Sequence, residues 1–146
     1  MSFLVSCLIF LALLGVSLLH LAWAFGSHFP CADEATLTRT VVGAKGMLKM
    51  PPRLASAFVA IATFFASLWP FILAGNLLSA LPQWLVSLGA IVLTIVFLGR
   101  GAAGYSSWFQ ALSPEQPFST LDKVYYSPLC LALGVGFLTL TVVRFS

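Results

Sequence analysis

Two histidines, four carboxylates and three cysteines are the groups in this chain that could hold a metal, move a proton or attack a substrate. Their spacing does not compose any familiar chemistry. Cys7, Cys31 and Cys130 form no CxxC pair and no Cys/His cluster at metal-ligand spacing, so all three read as structural, with Cys7 and Cys130, in apolar runs, acting as small hydrophobes. His20 and His28 flank one helix end and no second span offers an axial ligand, which argues against bis-histidine haem ligation. Phosphate loops, nucleophile elbows, zinc motifs and dinucleotide fingerprints do not occur. No catalytic, cofactor-binding or metal-binding residue is assigned on this reading, and no cofactor is expected. What remains is a polar and aromatic set, His20, Trp23, Asp33, Arg39, Arg100, Asp122 and Tyr126. His20 stands out, because it falls within the last turns of an apolar run and an ionisable residue inside a span is a functional candidate. The plainer alternative is a hydrogen bond from His20 to a neighbouring helix. Arg100 and Asp122 flank one connection and could close it as a structural ion pair. On that reading, exchanging the two charges restores part of what Arg100→Ala removes.

The elements that must position these residues follow from composition. Of 146 residues, 60% are hydrophobic and 8% charged, with a mean hydropathy of +1.04. Ordinary soluble domains carry about 25% charged residues, so these cannot cover a water-exposed surface. The expected fold is all-α: one polytopic integral membrane four-helix bundle over 1–146, with short interfacial helices in its two longer loops. Spans are expected at about 3–24, 54–74, 84–100 and 127–143, each near the 20 residues a bilayer requires. Ala22-Trp23-Ala24 resembles a signal-peptide cleavage site, but the start lacks Lys and Arg and the apolar run exceeds an h-region. Pro70 is expected to kink or stop the second span. GNLLSALPQ makes a short loop to the third, and Ser127-Pro128 reads as the N-cap and first turn of the fourth. Asp33 is expected to cap a short helix with Leu37, Val41 and Val42 on its apolar edge, ended by Gly43 and lying on the membrane surface. Ser119 and Asp122 have the spacing of a capping box.

Each span also carries small or hydroxyl residues at helical spacing: Ser6, Ser17 and His20; Ser56, Ala60, Thr63 and Ser67; Ser87, Ala90 and Thr94; Ala132, Gly136 and Thr139. These read as seams along which helices approach closely in lipid. Six of the seven basic residues (Arg39, Lys45, Lys49, Arg53, Arg100, Lys123) fall on one side of the bundle, with only Arg144 opposite. The positive-inside rule then places both longer loops in the cytoplasm of a bacterium and both termini outside its plasma membrane. Trp23, Tyr105, Trp108, Tyr125 and Tyr126 gather at the inner boundary, Trp69 and Trp84 at the outer. Expected partners are anionic lipid headgroups and a membrane protein or a second copy. No basic patch suits nucleic acid.

The segments HLAWAFG (20–26), FPCADEATLTRTVVGAKGMLKMP (29–51), GRGAAGY (99–105) and PFSTLDKVYYSPLCLALG (117–134) resemble the bacterial membrane family called domain of unknown function 3995. The resemblance implies a small bacterial membrane protein with no assigned activity. It marks His20, Trp23, Gly26, Pro30, Arg100, Asp122, Tyr126 and Pro128 as the motif-bearing positions. Three functional classes follow: a non-enzymatic accessory component, which the sequence favours; a small oligomeric transporter or channel; and a membrane-embedded enzyme using the inner-face cluster. No Asp, Glu, Lys or Arg sits mid-span, unlike the buried acid of the small multidrug exchangers, and no nucleophile–base pair is present.

Overall fold

A bilayer core offers no water to backbone groups, so a chain this apolar must satisfy them within helices. The computed structural model describes residues 2–75, 77 and 81–146. Among them there is no strand. Four helices are long and apolar enough to cross a membrane: α1 (Ser2–Ala24), α3 (Arg53–Leu73), α4 (Gln83–Ala103) and α6 (Phe118–Phe145). At 1.5 Å per residue the 21 residues of α3 and of α4 extend about 30 Å, the thickness of the hydrocarbon layer. Two short helices, α2 (Glu34–Val41) and α5 (Ser107–Leu112), lie in the longer loops. Of the short loop expected at GNLLSALPQ, residues 76 and 78–80 lie outside the described residues.

The helices pack as two antiparallel pairs, α1 along α3 and α4 along α6. Ile9, Leu13, Val86, Ala90, Phe137 and Leu140 fill the space where the pairs meet, and Phe97 stacks on Phe137 at 5.8 Å. The outside is as apolar as the core: Phe58 is 74% exposed and Ile95 65%. A surface of that kind suits lipid rather than water.

Most of the small-residue stripes are packing seams. Ser6 and Ser17 are buried and donate across the α1–α3 seam, Ser17 Oγ to the Ala60 carbonyl at 2.8 Å and Ser6 Oγ to that of Pro70 at 3.2 Å. Ser56, Ala60 and Ser67 of α3 are buried, as are Ala90 and Thr94 of α4. The fourth stripe is different. Ala132 and Thr139 face outward, and Leu133, Gly134, Phe137 and Leu140 form the buried face. Thr139 gives its hydroxyl to the Val135 carbonyl of its own helix at 2.8 Å, so it needs no partner and can face lipid. The α4–α6 approach rests instead on Gly101 and Gly134, where a methyl group would strike Leu131 and Leu98.

The largest departure from expectation is the start of α6. Helix begins at Phe118, nine residues before Ser127, and passes through a π-helical stretch at Asp122–Tyr126. Ser127 is therefore internal, its N–H bonded to the Asp122 carbonyl five residues back. The widened turn relieves the clash that the ring of Pro128 would otherwise make with the preceding turn. Nor do Ser119 and Asp122 form a capping box, since Pro117 precedes the helix without a side-chain cap and Asp122 lies inside it. At the opposite end Arg144 Nη1 donates to the Ile72 and Leu73 carbonyls, both at 2.9 Å, satisfying orphan acceptors at the end of α3.

Helix α2 forms as its sequence dictates. The Asp33 carboxylate accepts the Thr36 N–H at 2.8 Å, and Gly43, at φ +65°, ends the helix by donating to the Thr38 carbonyl. Of its apolar edge, Leu37 is fully buried within the protein, and Val41 and Val42 are half-buried.

Candidate functional site

All seven residues singled out in the sequence lie at the end of the bundle that carries the two long loops, but they do not form one cluster. They divide into a buried ion pair, a cleft beside α1, a tyrosine strut and two outward-facing charges on α2 and at its cap.

The ion pair joins α4 to α6. Arg100 Nη2 stands 2.6 Å from Asp122 Oδ1, and Asp122 is 2% exposed. Its other oxygen, Oδ2, accepts the Ser127 hydroxyl at 3.0 Å. Residues five apart in an α-helix diverge by about 140°; the π turn brings Asp122 and Ser127 to the same side. Both then press on Gly104, where any side chain would collide with the Ser127 hydroxyl and the carboxylate. The Arg100 guanidinium also lies over the Phe109 ring of α5, 4.6 Å from its centroid. With both carboxylate oxygens engaged, Asp122 serves as a fastener of three helices rather than as a free base. An exchanged pair would not fit, since an arginine at 122 would have to enter the space that Gly104 and Ser127 close off. The geometry thus replaces the expectation of partial rescue with one of none.

Among the described residues His20 forms no bond to a neighbouring helix. Its Nδ1 lies 2.9 Å from the Val16 carbonyl of its own helix, which requires the proton on that nitrogen, and its ring packs against Trp23 at 4.7 Å. Trp23 Nε1 donates to the Phe29 carbonyl at 2.7 Å, folding the chain back after α1. Both rings border a cleft of about 130 Å³ walled by Val41, Val42 and Val59. A second, polar cleft of about 240 Å³ adjoins it through the shared residues Trp23, Met50 and Pro51, and is bordered by His28, Glu34 and Arg53. Sequence reasoning overlooked Glu34, Met50 and Arg53 as lining residues. Only the return of the loop, pinned by Glu34 Oε1 accepting the Met50 N–H at 3.0 Å, brings them beside α1.

Tyr126 ties the layers together. Its hydroxyl donates to the Thr40 carbonyl of α2 at 3.1 Å, and its ring meets Phe118, which meets Phe109. The loops are also joined directly: the Glu115 N–H donates to the Gly43 carbonyl at 3.1 Å, and Glu115 Oε1 accepts the Gly46 N–H at 3.2 Å. Arg39 is exposed and makes no ion pair among the described residues. Asp33 is occupied in capping α2, and the Thr36 N–H holds its carboxyl below the usual value, aided by the Thr36 hydroxyl. A lowered pKa makes the cap's contribution present above the ordinary carboxylate value and lost as pH falls through the depressed one. The protection of α2 amides against exchange, relative to an unstructured peptide at the same pH, is therefore expected to fall only once the pH drops below about 4. In Asp33→Asn that acid dependence disappears; an unchanged profile in this variant would remove Asp33 as its source.

Among the described residues no three His, Cys, Asp or Glu side chains gather as a metal set. The family model described as Protein of unknown function (DUF3995) matches residues 13–137, which include all seven residues and both clefts. No curated protein and no solved structure matches the chain. With the match reaching from the first long helix into the last, the chain belongs to the DUF3995 family.

Proposed function

We propose that the protein is a multi-pass membrane component of the bacterial plasma membrane, without enzymatic activity of its own, that offers the loop end of its bundle to a membrane-protein partner or a second copy. The observation that carries this reading is the way the two loops are knitted into one cap. Tyr126–Thr40, Glu115–Gly43 and the Arg100–Asp122 pair all hold α2, α5 and the loops in a fixed arrangement. The Asp122 carboxylate and the Tyr126 hydroxyl, groups that a catalyst or a conduit would need free, are bonded within this framework. The seam hydroxyls that a transport path would use are likewise spent, Ser17 on α3 and Thr94 on its own helix. An accessory protein needs only such a rigid bundle and an ordered surface. The distribution of basic residues supports a cytoplasmic cap with both termini outside.

Two measurements test this. Lys45→Cys, at an exposed position of the first long loop, is expected to react with a membrane-impermeant maleimide only after cells are permeabilised. Reaction in intact cells would reverse the orientation. Purified protein in liposomes is expected to give no proton or ion flux above empty vesicles, and mild-detergent extraction is expected to retain a partner or an oligomer. A solute-dependent flux that vanishes in His20→Ala would overturn the accessory reading in favour of a transporter.

A further inference from the structure

The cations of the bundle differ in what they hold. Arg100 grips Asp122 and Arg144 caps α3, but Arg53 makes no ion pair or side-chain hydrogen bond among the described residues. It stands at the first position of α3, the end where the helix dipole is already positive, with no acidic residue in the first turn and no side-chain cap from Pro52. An anion is what that position lacks. Gly26 makes room for the Arg53 guanidinium. Held at φ +86°, this glycine lies directly under the Arg53 guanidinium, and a Cβ there would displace the Nη2 atom. Arg53 and Gly26 thus line the polar cleft together with His28 and Glu34. Trp23, Met50 and Pro51 border both that cleft and the apolar one, whose wall reaches Val59, six residues further along α3. Six residues are about 9 Å of helix axis. Headgroup regions are about 5–7 Å thick on each side of a bilayer. The distance is that between a lipid phosphate and the first methylenes of its chains.

We infer that this double cleft holds one phospholipid of the surrounding bilayer, its phosphate at Arg53 and the start of an acyl chain between His20, Val41, Val42 and Val59. The inference rests on the membrane reading above. An apolar crevice at that depth is filled by hydrocarbon rather than water, and a cation at its mouth selects a chain that carries an anionic head. Glu34 limits the choice: its carboxylate, tied to Met50, borders the same cleft and disfavours a headgroup with negative charge beyond the single phosphate. Free phosphate would use only the polar half and gain nothing from the apolar one.

The test is native mass spectrometry of detergent-purified, delipidated protein titrated with dioleoylphosphatidylethanolamine, dioleoylglycerol or inorganic phosphate. One tightly held phosphatidylethanolamine is expected, binding at least about tenfold more tightly than dioleoylglycerol. Arg53→Gln, at an exposed position, is expected to weaken it about tenfold, and Gly26→Val and Val59→Trp to abolish it. Lys45→Gln, a cation at the same end that does not line the cleft, is expected to leave it unchanged. Thermal unfolding of each variant separates lost binding from lost fold. Equal affinity for dioleoylglycerol would overturn recognition of the phosphate, and displacement of the lipid by millimolar inorganic phosphate would make this a free-anion site. Equal weakening in Arg53→Gln and Lys45→Gln would reduce the binding to general surface charge. Recovery of the untagged protein in the alkaline-washed membrane fraction is checked separately, so failure of the membrane reading is distinguishable from failure of the lipid site.

Discussion

Asp122→Ala is expected to lower stability by about 3 kcal/mol, because it strands the Arg100 guanidinium and the Ser127 hydroxyl together. Breaking a buried ion pair by removing one partner typically costs about 3–5 kcal/mol. The lower end applies here, since the Arg100 side chain is 34% exposed and partly screened by solvent. In a chain of this size that corresponds to a fall in Tm of about 6–12 °C. Thermal unfolding in mild detergent reads it directly. Arg100→Ala is expected to be less damaging than Asp122→Ala only if water reaches the carboxylate it leaves behind. The combined Arg100→Asp, Asp122→Arg variant is expected to be no more stable than either single variant, because the larger side chain would occupy the space against Gly104. Partial recovery in that exchange would show that the pair is held by charge alone, not by the shape of the π turn. Single variants as stable as the wild type would mean that the pair contributes nothing, and the cluster would need a ligand to explain it.

Gly43→Val is expected to cost about as much by a different route. A branched residue at φ +65° is strained by about 1–2 kcal/mol. Its side chain would also strike the ring of Phe118, which is 3% exposed and has nowhere to move, and overpacking of that kind adds about 1–3 kcal/mol. Gly43 also presents the carbonyl that accepts the Glu115 N–H, so the seam between the two loops opens at the same point. Accelerated amide exchange and proteolysis are expected from α2 through residue 50, with α1 and α3 still protected. Tyr126→Phe, which removes one hydrogen bond to Thr40 and leaves the ring in place, is expected to cost only about 1 kcal/mol and serves as the mild reference. If Gly43→Val proves no more disruptive than Tyr126→Phe, the cap is not held by the Gly43–Phe118 contact. If the cap is the partner surface, Gly43→Val also loses whatever mild-detergent extraction retains with the wild type.

Composition and hydropathy alone determined four span-length helices, the approximate limits of the first three, and the gathering of His20, Arg100, Asp122 and Tyr126 at one end. Each of these depends on residues within one helix or on the alternation of antiparallel spans, and local pattern carries that information. Asp33 and Gly43 were equally legible, since a helix cap requires only its own neighbours. What depends on another segment was not. The buried face of α6 was misjudged because Thr139 can satisfy its hydroxyl on its own helix, while Gly134 matters only where Leu98 of α4 comes against it. Ser127 has the residue type of an N-cap, yet a continuous helix runs through it, because the π turn lets Asp122 and Ser127 converge on Gly104 of another helix. The double cleft was invisible for the same reason. Glu34, Met50 and Arg53 are spread over 20 positions, and only the fold of the loop against the end of α1 sets them around one space. Period and composition report which residues leave water; which of them then meet is decided by helix pairing, through contacts between residues far apart in the chain.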